Sequence, residues 1–153
     1  MLRTRPDACD FCFVPVSVQC HPYIPHLLAT GCYDECLRLW DTRNMRVPVR
    51  LCGVSGQCGG GVWRVKWHPD PKQPRLVLVS CMRGGSFVVD TGMNGGDQAG
   101  VVLRPCIQPP TSHASSEALA YGIDWLTHRG PMDCISCTYY NRNASVSETM
   151  FRL

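Results

Sequence analysis

Short apolar runs separated by tight polar turns are the dominant pattern along this chain. In residues 27–43, LLATGCYDECLRLWDTR, an apolar run, a polar turn at 33–35 and a second apolar run end at Trp40-Asp41. Runs of this length, bounded by turn residues, predict β-strands. The strands predicted here are Val14–Cys20, Leu27–Gly31, Leu37–Trp40 and an edge strand, Val47–Cys52, that tolerates Pro48.

The pattern then repeats. Residues 26–43 match residues 75–92 at an offset of 49, which aligns Asp41-Thr42 with Asp90-Thr91. The preceding strands match at an offset of 47, with His21-Pro22 over His68-Pro69. A third, weaker copy begins at Tyr121 and continues through residues 134–140. Residues 141–153 contain no apolar run ending in Trp-Asp, so the third strand of this copy is predicted to be missing.

Repeats of about 45 to 50 residues, each with four short strands, are the signature of WD-repeat propeller blades. The sequence therefore predicts an all-β fold, a WD-repeat β-propeller fragment with two complete four-stranded blades and a partial third. In such blades Thr30, Asp34 and Trp40 are expected to tie strands together. A closed propeller needs at least about four blades, so we expect part of a longer protein with two exposed apolar blade faces. The predicted divisions are a lead-in (1–13), a first blade (14–52), a glycine-rich loop (53–61), a second blade (62–106), a loop (107–120) and a partial third blade (121–153).

The composition is that of an ordinary soluble domain, with 44% hydrophobic and 18% charged residues. A net charge of +3 without a long run of like charges argues against a nucleic-acid partner. No apolar run approaches the roughly 20 residues that span a bilayer, and Asp10 and Pro15 interrupt the region where a signal peptide would lie. We therefore expect a cytoplasmic protein with no membrane partner.

Eleven cysteines, an odd number without an export signal, predict reduced thiols. The pairs Cys9/Cys12 and Cys134/Cys137 have zinc-ligand spacing, but they lie far apart in the sequence. Burial as small apolar residues is the preferred interpretation of the second pair, so no metal is predicted. The glycine-rich loop matches neither the P-loop nor the dinucleotide fingerprint, which favours a linker over a phosphate site.

Several strings are more specific than the general WD pattern. They are LATGCYDECLRLWDTRNM at 28–45, GGVWRVKWHP at 60–69, Cys81-Met82, and YGIDW at 121–125 preceded by TSH at 111–113. With these strings the chain resembles the diphthine methylesterase family of diphthamide biosynthesis. The resemblance implies an esterase that removes the methyl ester from methylated diphthine on translation elongation factor 2, releases methanol and uses no cofactor.

The substrate implied by this resemblance carries a trimethylammonium group, which aromatic faces with a nearby carboxylate hold best. Trp63 and Tyr121 occupy equivalent positions at the start of the innermost strands of their blades, and Asp124 follows Tyr121. We therefore predict that Trp63, Tyr121 and Asp124 line the substrate pocket. The alternative is that the two rings only pack between blades.

No catalytic triad is recognisable from the spacing of the histidines. His21 and His68 are interpreted as structural residues at the ends of strands. His113, in the loop before the third copy, is the candidate for the catalytic base, against a structural role that WD blades give a histidine near this place. A different class of function also remains open, because most WD propellers are non-catalytic scaffolds that dock proteins on one face.

Overall fold

The chain folds into three antiparallel β-sheets in the computed structural model, which describes residues 15–53, 60–92, 104–107, 119–126, 133–138 and 144–147. Every regular element within these ranges is a strand, which confirms the all-β prediction. Sheet 1 contains β1 (Pro15–Cys20), β2 (Leu27–Cys32), β3 (Cys36–Asp41) and β4 (Arg50–Gly53). Sheet 2 contains β5 (Val62–Trp67), β6 (Leu76–Cys81), β7 (Gly85–Asp90) and β8 (Arg104–Ile107), and sheet 3 contains β9 (Ala120–Trp125), β10 (Cys134–Thr138) and β11 (Ala144–Ser147).

Two strand predictions differ from the structure. The fourth strand of sheet 1 begins at Arg50 rather than Val47, so Pro48 lies before the strand and costs it no ladder hydrogen bond. The third strand of the last copy was predicted to be missing, and this was wrong. Residues Ala144–Ser147 pair with β10, because strand pairing is made by backbone groups and does not require the Trp-Asp ending.

Each sheet carries a β-bulge at the same place in its first strand. In sheet 1, the register with β2 shifts between Pro15 and Ser17, which leaves Val16 as the extra residue. The corresponding shifts leave Trp63 as the extra residue in sheet 2 and Tyr121 in sheet 3. A bulge breaks the alternation of side chains and redirects the extra one. The first strands lie next to one another, since β1 contacts β5 and β5 contacts β9. Their bulges therefore lie at the same end of this row of strands.

The core consists of two apolar layers, one at each interface between sheets. The first layer joins the face of sheet 1 that contains Ala29 and Leu39 to the face of sheet 2 that contains Val79 and Val89. The second layer joins the other face of sheet 2, with Leu78, to sheet 3. Sheet 2 is therefore covered on both faces, which explains why β6 is buried throughout and carries apolar residues on both faces rather than alternating.

The outer face of sheet 1 has no such neighbour within the described residues. Val18 is 66% exposed there, whereas Val65, its counterpart one repeat later, is 4% exposed against sheet 1. No described segment is a helix long and apolar enough to cross a bilayer.

The cysteines differ in their environments. Cys20, Cys32 and Cys137 are free thiols and Cys36 and Cys134 form no disulfide, as predicted. Cys81 is disulfide-bonded, which the expectation of reduced thiols missed. Cys134 is buried and Cys137 is exposed, because residues three apart on a strand face opposite sides of the sheet. These two thiols therefore do not converge on one metal ion, and Cys9 and Cys12 lie outside the described residues.

Candidate functional site

Trp63 and Tyr121 lie side by side at the bulged end of the first strands. Their ring centroids are 5.3 Å apart and their planes are tilted by 41°. The bulges explain this arrangement. Trp63 and Tyr121 are the extra residues of their strands, and a bulge changes the direction in which the side chain of its extra residue points. The structure therefore brings together two of the three residues predicted to line the pocket.

A third ring, that of Tyr33, continues the group on the other side of Trp63. Its centroid lies 6.4 Å from that of Trp63, and the two planes meet at 77°. Tyr33 comes from the turn between β2 and β3, so each of the three sheets supplies one ring. Tyr33 is 50% exposed and Tyr121 is 38% exposed, while Trp63 between them is half-buried. We call Tyr33, Trp63 and Tyr121 the aromatic row.

Two glycines allow the sheets to approach each other beneath this row. A Cβ atom on Gly61 would lie 2.8 Å from the Cα of Tyr33, and one on Gly31 would lie 2.7 Å from the carbonyl oxygen of Val62. Both distances are too short for a real side chain. The close contact of sheets 1 and 2 at this end therefore depends on the absence of a side chain at both positions.

Asp124 lies away from the aromatic row. It is three residues beyond Tyr121 on β9, a distance of about 10 Å at the usual strand rise. Its Oδ2 is 3.5 Å from Nζ of Lys66, and its Oδ1 accepts a hydrogen bond from the backbone N–H of Trp125 at 2.9 Å. The structure thus pairs this carboxylate with Lys66 instead of placing it beside the two rings.

The histidines of the His-Pro pairs have structural partners. The Nδ1 atom of His21 accepts hydrogen bonds from the backbone N–H groups of Tyr23 and Ile24 at 3.0 and 2.8 Å, and its Nε2 lies 2.7 Å from the carbonyl oxygen of Pro74. The Nδ1 of His68 accepts from the backbone N–H of Asp70 at 3.0 Å. Both rings are buried, as the interpretation of strand-end structure expected. His113 lies outside the described residues.

Of the residues expected to tie strands together, Thr30 and Trp40 link β2 to β3, whereas the side-chain contacts of Asp34 are to residues of β3. Trp40 Nε1 donates to Thr30 Oγ1 at 2.9 Å. Asp34 accepts two hydrogen bonds from the guanidinium of Arg38, at 3.0 and 2.5 Å, and one from the backbone N–H of Cys36 at 3.1 Å. Burial alone would raise the pKa of Asp34, but the hydrogen bonds and charge of Arg38 outweigh it and lower that pKa. The Asp34 carboxylate is therefore ionised and has a structural role.

Curated relatives match most of the chain. A "Diphthine methyltransferase homolog" of Dictyostelium discoideum is 33% identical over 136 residues, which is 85% of this chain. The mouse "Diphthine methyltransferase" is 40% identical over 114 residues, 74% of this chain. Over most of its length the chain is homologous to part of these diphthine methyltransferases. No protein-family model matches it.

The chain spans 34% of the length of the Dictyostelium family member and 21% of that of the mouse one. The chain also matches a protein with a different name, the 78 kDa intermediate chain of the flagellar outer-arm dynein of Chlamydomonas reinhardtii. The two sequences are 35% identical over 71 residues, which is 45% of this chain. Part of the repeat pattern is therefore shared beyond the diphthine methyltransferase family.

Tyr33 is the site residue that sequence reasoning missed. It was assigned only to a turn, and its contact with Trp63 joins two repeats. One signal was available, because a large aromatic residue stands where turns favour small polar ones. The second repeat has Met82 at the corresponding place, again a large apolar residue.

Proposed function

We propose that this chain supplies part of the substrate-binding face of an enzyme of diphthamide biosynthesis. The proposed reaction is hydrolysis of the methyl ester of methylated diphthine on translation elongation factor 2. The proposed location of the protein is the cytoplasm. The observation that carries the proposal is the aromatic row, three partly exposed rings from three sheets whose neighbouring centroids are 6.4 and 5.3 Å apart. Similarity to proteins named diphthine methyltransferase supports the pathway.

The aromatic row suits the cationic part of such a substrate. A trimethylammonium group has no N–H donor, so it gains little from hydrogen-bond acceptors and much from the negative faces of aromatic rings. Because each ring is partly exposed, the row can receive the group without rearrangement of the core. The row would then hold the modified histidine while the ester lies deeper or beyond it.

The proposed reaction needs only water as co-reactant. A water oxygen attacks the ester carbonyl carbon, the bond from that carbon to the methoxy oxygen breaks, and the methoxy group leaves as methanol with a proton from the water. The products are a carboxylate, a proton and methanol. Such a step requires a general base and a donor for the oxyanion. Our candidate for the base is His113, and Asp124 stays a candidate for binding only if its pairing with Lys66 opens.

The names of the relatives describe methyl transfer, whereas the reaction proposed here removes a methyl group. Transfer would consume a methyl donor and form the ester, whereas hydrolysis removes it and releases methanol. An assay of methanol release from methylated elongation factor 2 separates the two. We expect release with a full-length family member and none with the 153-residue chain alone.

Substitutions test the part played by the aromatic row. In the full-length protein, Trp63→Ala and Tyr121→Ala are expected to slow methanol release, while Tyr23→Ala serves as the matched control. Tyr23 is also an exposed tyrosine (45%), but it lies at the opposite end of the strands, beside His21. Normal turnover in both row variants, with unchanged thermal stability, would refute the role of the row.

A non-catalytic scaffold is the second candidate function. The observation that favours it is the same exposure of the aromatic row, since exposed tyrosine and tryptophan are also typical centres of protein interfaces. The scaffold predicts that the full-length protein binds elongation factor 2 regardless of the methyl ester and releases no methanol. The esterase predicts release and a preference for the esterified form.

A further inference from the structure

We propose that Ser80 and Ser86 bind an ordered water molecule between sheets 2 and 3. Both serines are fully buried. Neither hydroxyl oxygen has a hydrogen-bond partner within the described part of the chain. A buried hydroxyl without a partner is costly, and an ordered water is a common group that satisfies it. The two serines therefore mark a polar site inside an otherwise apolar interface.

Both hydroxyls face sheet 3. Ser80 lies directly opposite Ser86 in the ladder of β6 and β7, so the two side chains project from the same face of sheet 2. Leu78 and Val88, each two residues away from one of the serines, project from that face as well. These two residues belong to the apolar layer that packs on sheet 3. The serine pair therefore points into the interface of sheets 2 and 3.

The spacing of an opposed pair suits one bridging water. The Cβ atoms of directly opposed residues on antiparallel strands lie about 4.5–5.5 Å apart. The hydroxyls of Ser80 and Ser86 do not bond to each other. A water about 2.8 Å from each oxygen connects two hydroxyls that are up to about 5.6 Å apart. One water molecule can therefore satisfy both serines.

The equivalent positions in the interface of sheets 1 and 2 are apolar and tightly packed. Gly31 and Leu37 form the corresponding opposed pair of β2 and β3. An added Cβ on Gly31 would lie 2.7 Å from the carbonyl oxygen of Val62, and Leu37 is fully buried in the first apolar layer. A serine in place of this leucine has a smaller side chain and a hydroxyl. The second interface therefore offers both space and hydrogen-bonding groups to a water molecule.

Sheet 3 also carries smaller and more polar residues at this interface. Ala120 takes the place of Val62 at the start of the first strand. Ser136 lies opposite Ile123 and takes the place of Val79 in sheet 2. Because Ile123 packs on sheet 2, the buried Ser136 faces the same interface. A buried water makes two to four hydrogen bonds, and Ser136 is our candidate for its third partner.

The site lies at the end of the sheets that carries the aromatic row. The backbone N–H of Ala120 donates to the carbonyl oxygen of Met82 at 2.8 Å, which joins β9 to the turn after β6. Ser80 lies two residues before Met82. The water is therefore a second polar link between sheets 2 and 3, close to the strand end that carries Tyr121. This link goes beyond the proposed function and does not depend on whether an ester is hydrolysed.

A crystal structure of the full chain tests the site directly. We expect a density peak for one water about 2.5–3.0 Å from both hydroxyl oxygens. Ser86→Leu introduces the residue of the first repeat, which fills the space, so the peak should be absent in this variant. Empty space between the two hydroxyls, or a protein group bonded to both of them, would overturn the proposal.

Urea unfolding of alanine variants tests the site in solution. Ser80→Ala and Ser86→Ala each leave the water and the other hydroxyl short of a partner, so we expect the equilibrium constant for unfolding to rise about three- to tenfold. Because both serines hold the same water, the double variant should be no less stable than the weaker single variant. Ser17→Ala, on the first strand of sheet 1, is the control and should change the constant by less than about twofold.

Two results in this series would contradict the bound water. One is unchanged or greater stability in both single variants, which is expected if each substitution removes a buried hydroxyl that has no partner. The other is a double variant whose loss equals the sum of the two single losses, since independent hydroxyls share no water.

Discussion

The indole nitrogen of Trp125 donates a hydrogen bond to the backbone carbonyl of Lys66 at 3.2 Å. One repeat earlier, Trp67 donates in the same way to the carbonyl of Gln19, also at 3.2 Å. In each case a histidine ring from the preceding sheet, at 4.4 to 4.5 Å between centroids, packs on the indole. Sheets 2 and 3 are therefore each attached to the preceding sheet by the tryptophan at the end of their first strand, Trp67 and Trp125.

Replacing this tryptophan by phenylalanine tests that attachment. Trp67→Phe keeps an aromatic ring in the core but removes the donor, so we expect a loss of about 0.5–1.5 kcal/mol in the free energy of unfolding. Trp63→Phe is the control, since its half-exposed ring should stay within about 0.5 kcal/mol of the wild type. Urea unfolding measures both, and equal midpoints for the two variants would contradict the role of the hydrogen bond.

The close approach of sheets 1 and 2 makes a second prediction. Gly31→Ala puts a Cβ 2.7 Å from both Cγ1 and the carbonyl oxygen of Val62, so we expect a loss of roughly 1–3 kcal/mol from overpacking. Gly122→Ala is the matched control, because its Cβ meets only the Cys137 sulfur, the end of a side chain that can rotate. The denaturation midpoint should fall clearly more for Gly31→Ala, and a larger fall for Gly122→Ala would show that the interface is not rigid.

Acid should weaken the ion pair of Asp34 and Arg38. Because the pKa of folded Asp34 lies below the ordinary 3.8, the pair stabilises the fold above pH 3.8 and this contribution is lost as the pH falls through the lowered pKa. In Arg38→Met, burial of Asp34 is no longer opposed by the guanidinium, so we expect the pKa of Asp34 to rise. Carboxyl NMR titration measures this pKa, and an unchanged low value would assign the shift to other groups.

Asp41 offers an exposed counterpart to that pair. The hydrogen bonds from the guanidinium of Arg43 lower the pKa of Asp41 to about 2. Arg43→Ala should return the pKa towards 3.8. Since the carboxylate is exposed, thermal stability at neutral pH should stay the same. A marked drop in melting temperature would show that the pair also holds the turn after β3.

The strands and the repeat could be predicted from the sequence because their signals are local. Residues 76–79 form an apolar run, and the sequence His68-Pro69 repeats His21-Pro22 and can be aligned with it directly. The third strand of sheet 3 could not be found in this way. Its residues, ASVS, carry a weak strand signal, and their pairing with β10 depends on backbone groups that β10 leaves available.

The site was predictable in part for the same reason. The equivalence of Trp63 and Tyr121 was visible in the repeat. The bulges that turn both rings to one end depend on the strand register, which the amino-acid sequence does not specify. Alternation could not show that Asp124 faces Lys66. The contact of Tyr33 with Trp63 joins different sheets, so it depends on how the sheets pack.

The fate of the ester methyl group tests the central claim most directly. Elongation factor 2 carrying diphthine with an isotopically labelled methyl ester is incubated with a full-length family member, and the label is followed in methanol and in protein. We predict that the label appears in methanol, and more slowly when Trp63 is replaced by alanine. Label that stays on the elongation factor, or transfer of a methyl group from an added donor to form the ester, would contradict the account.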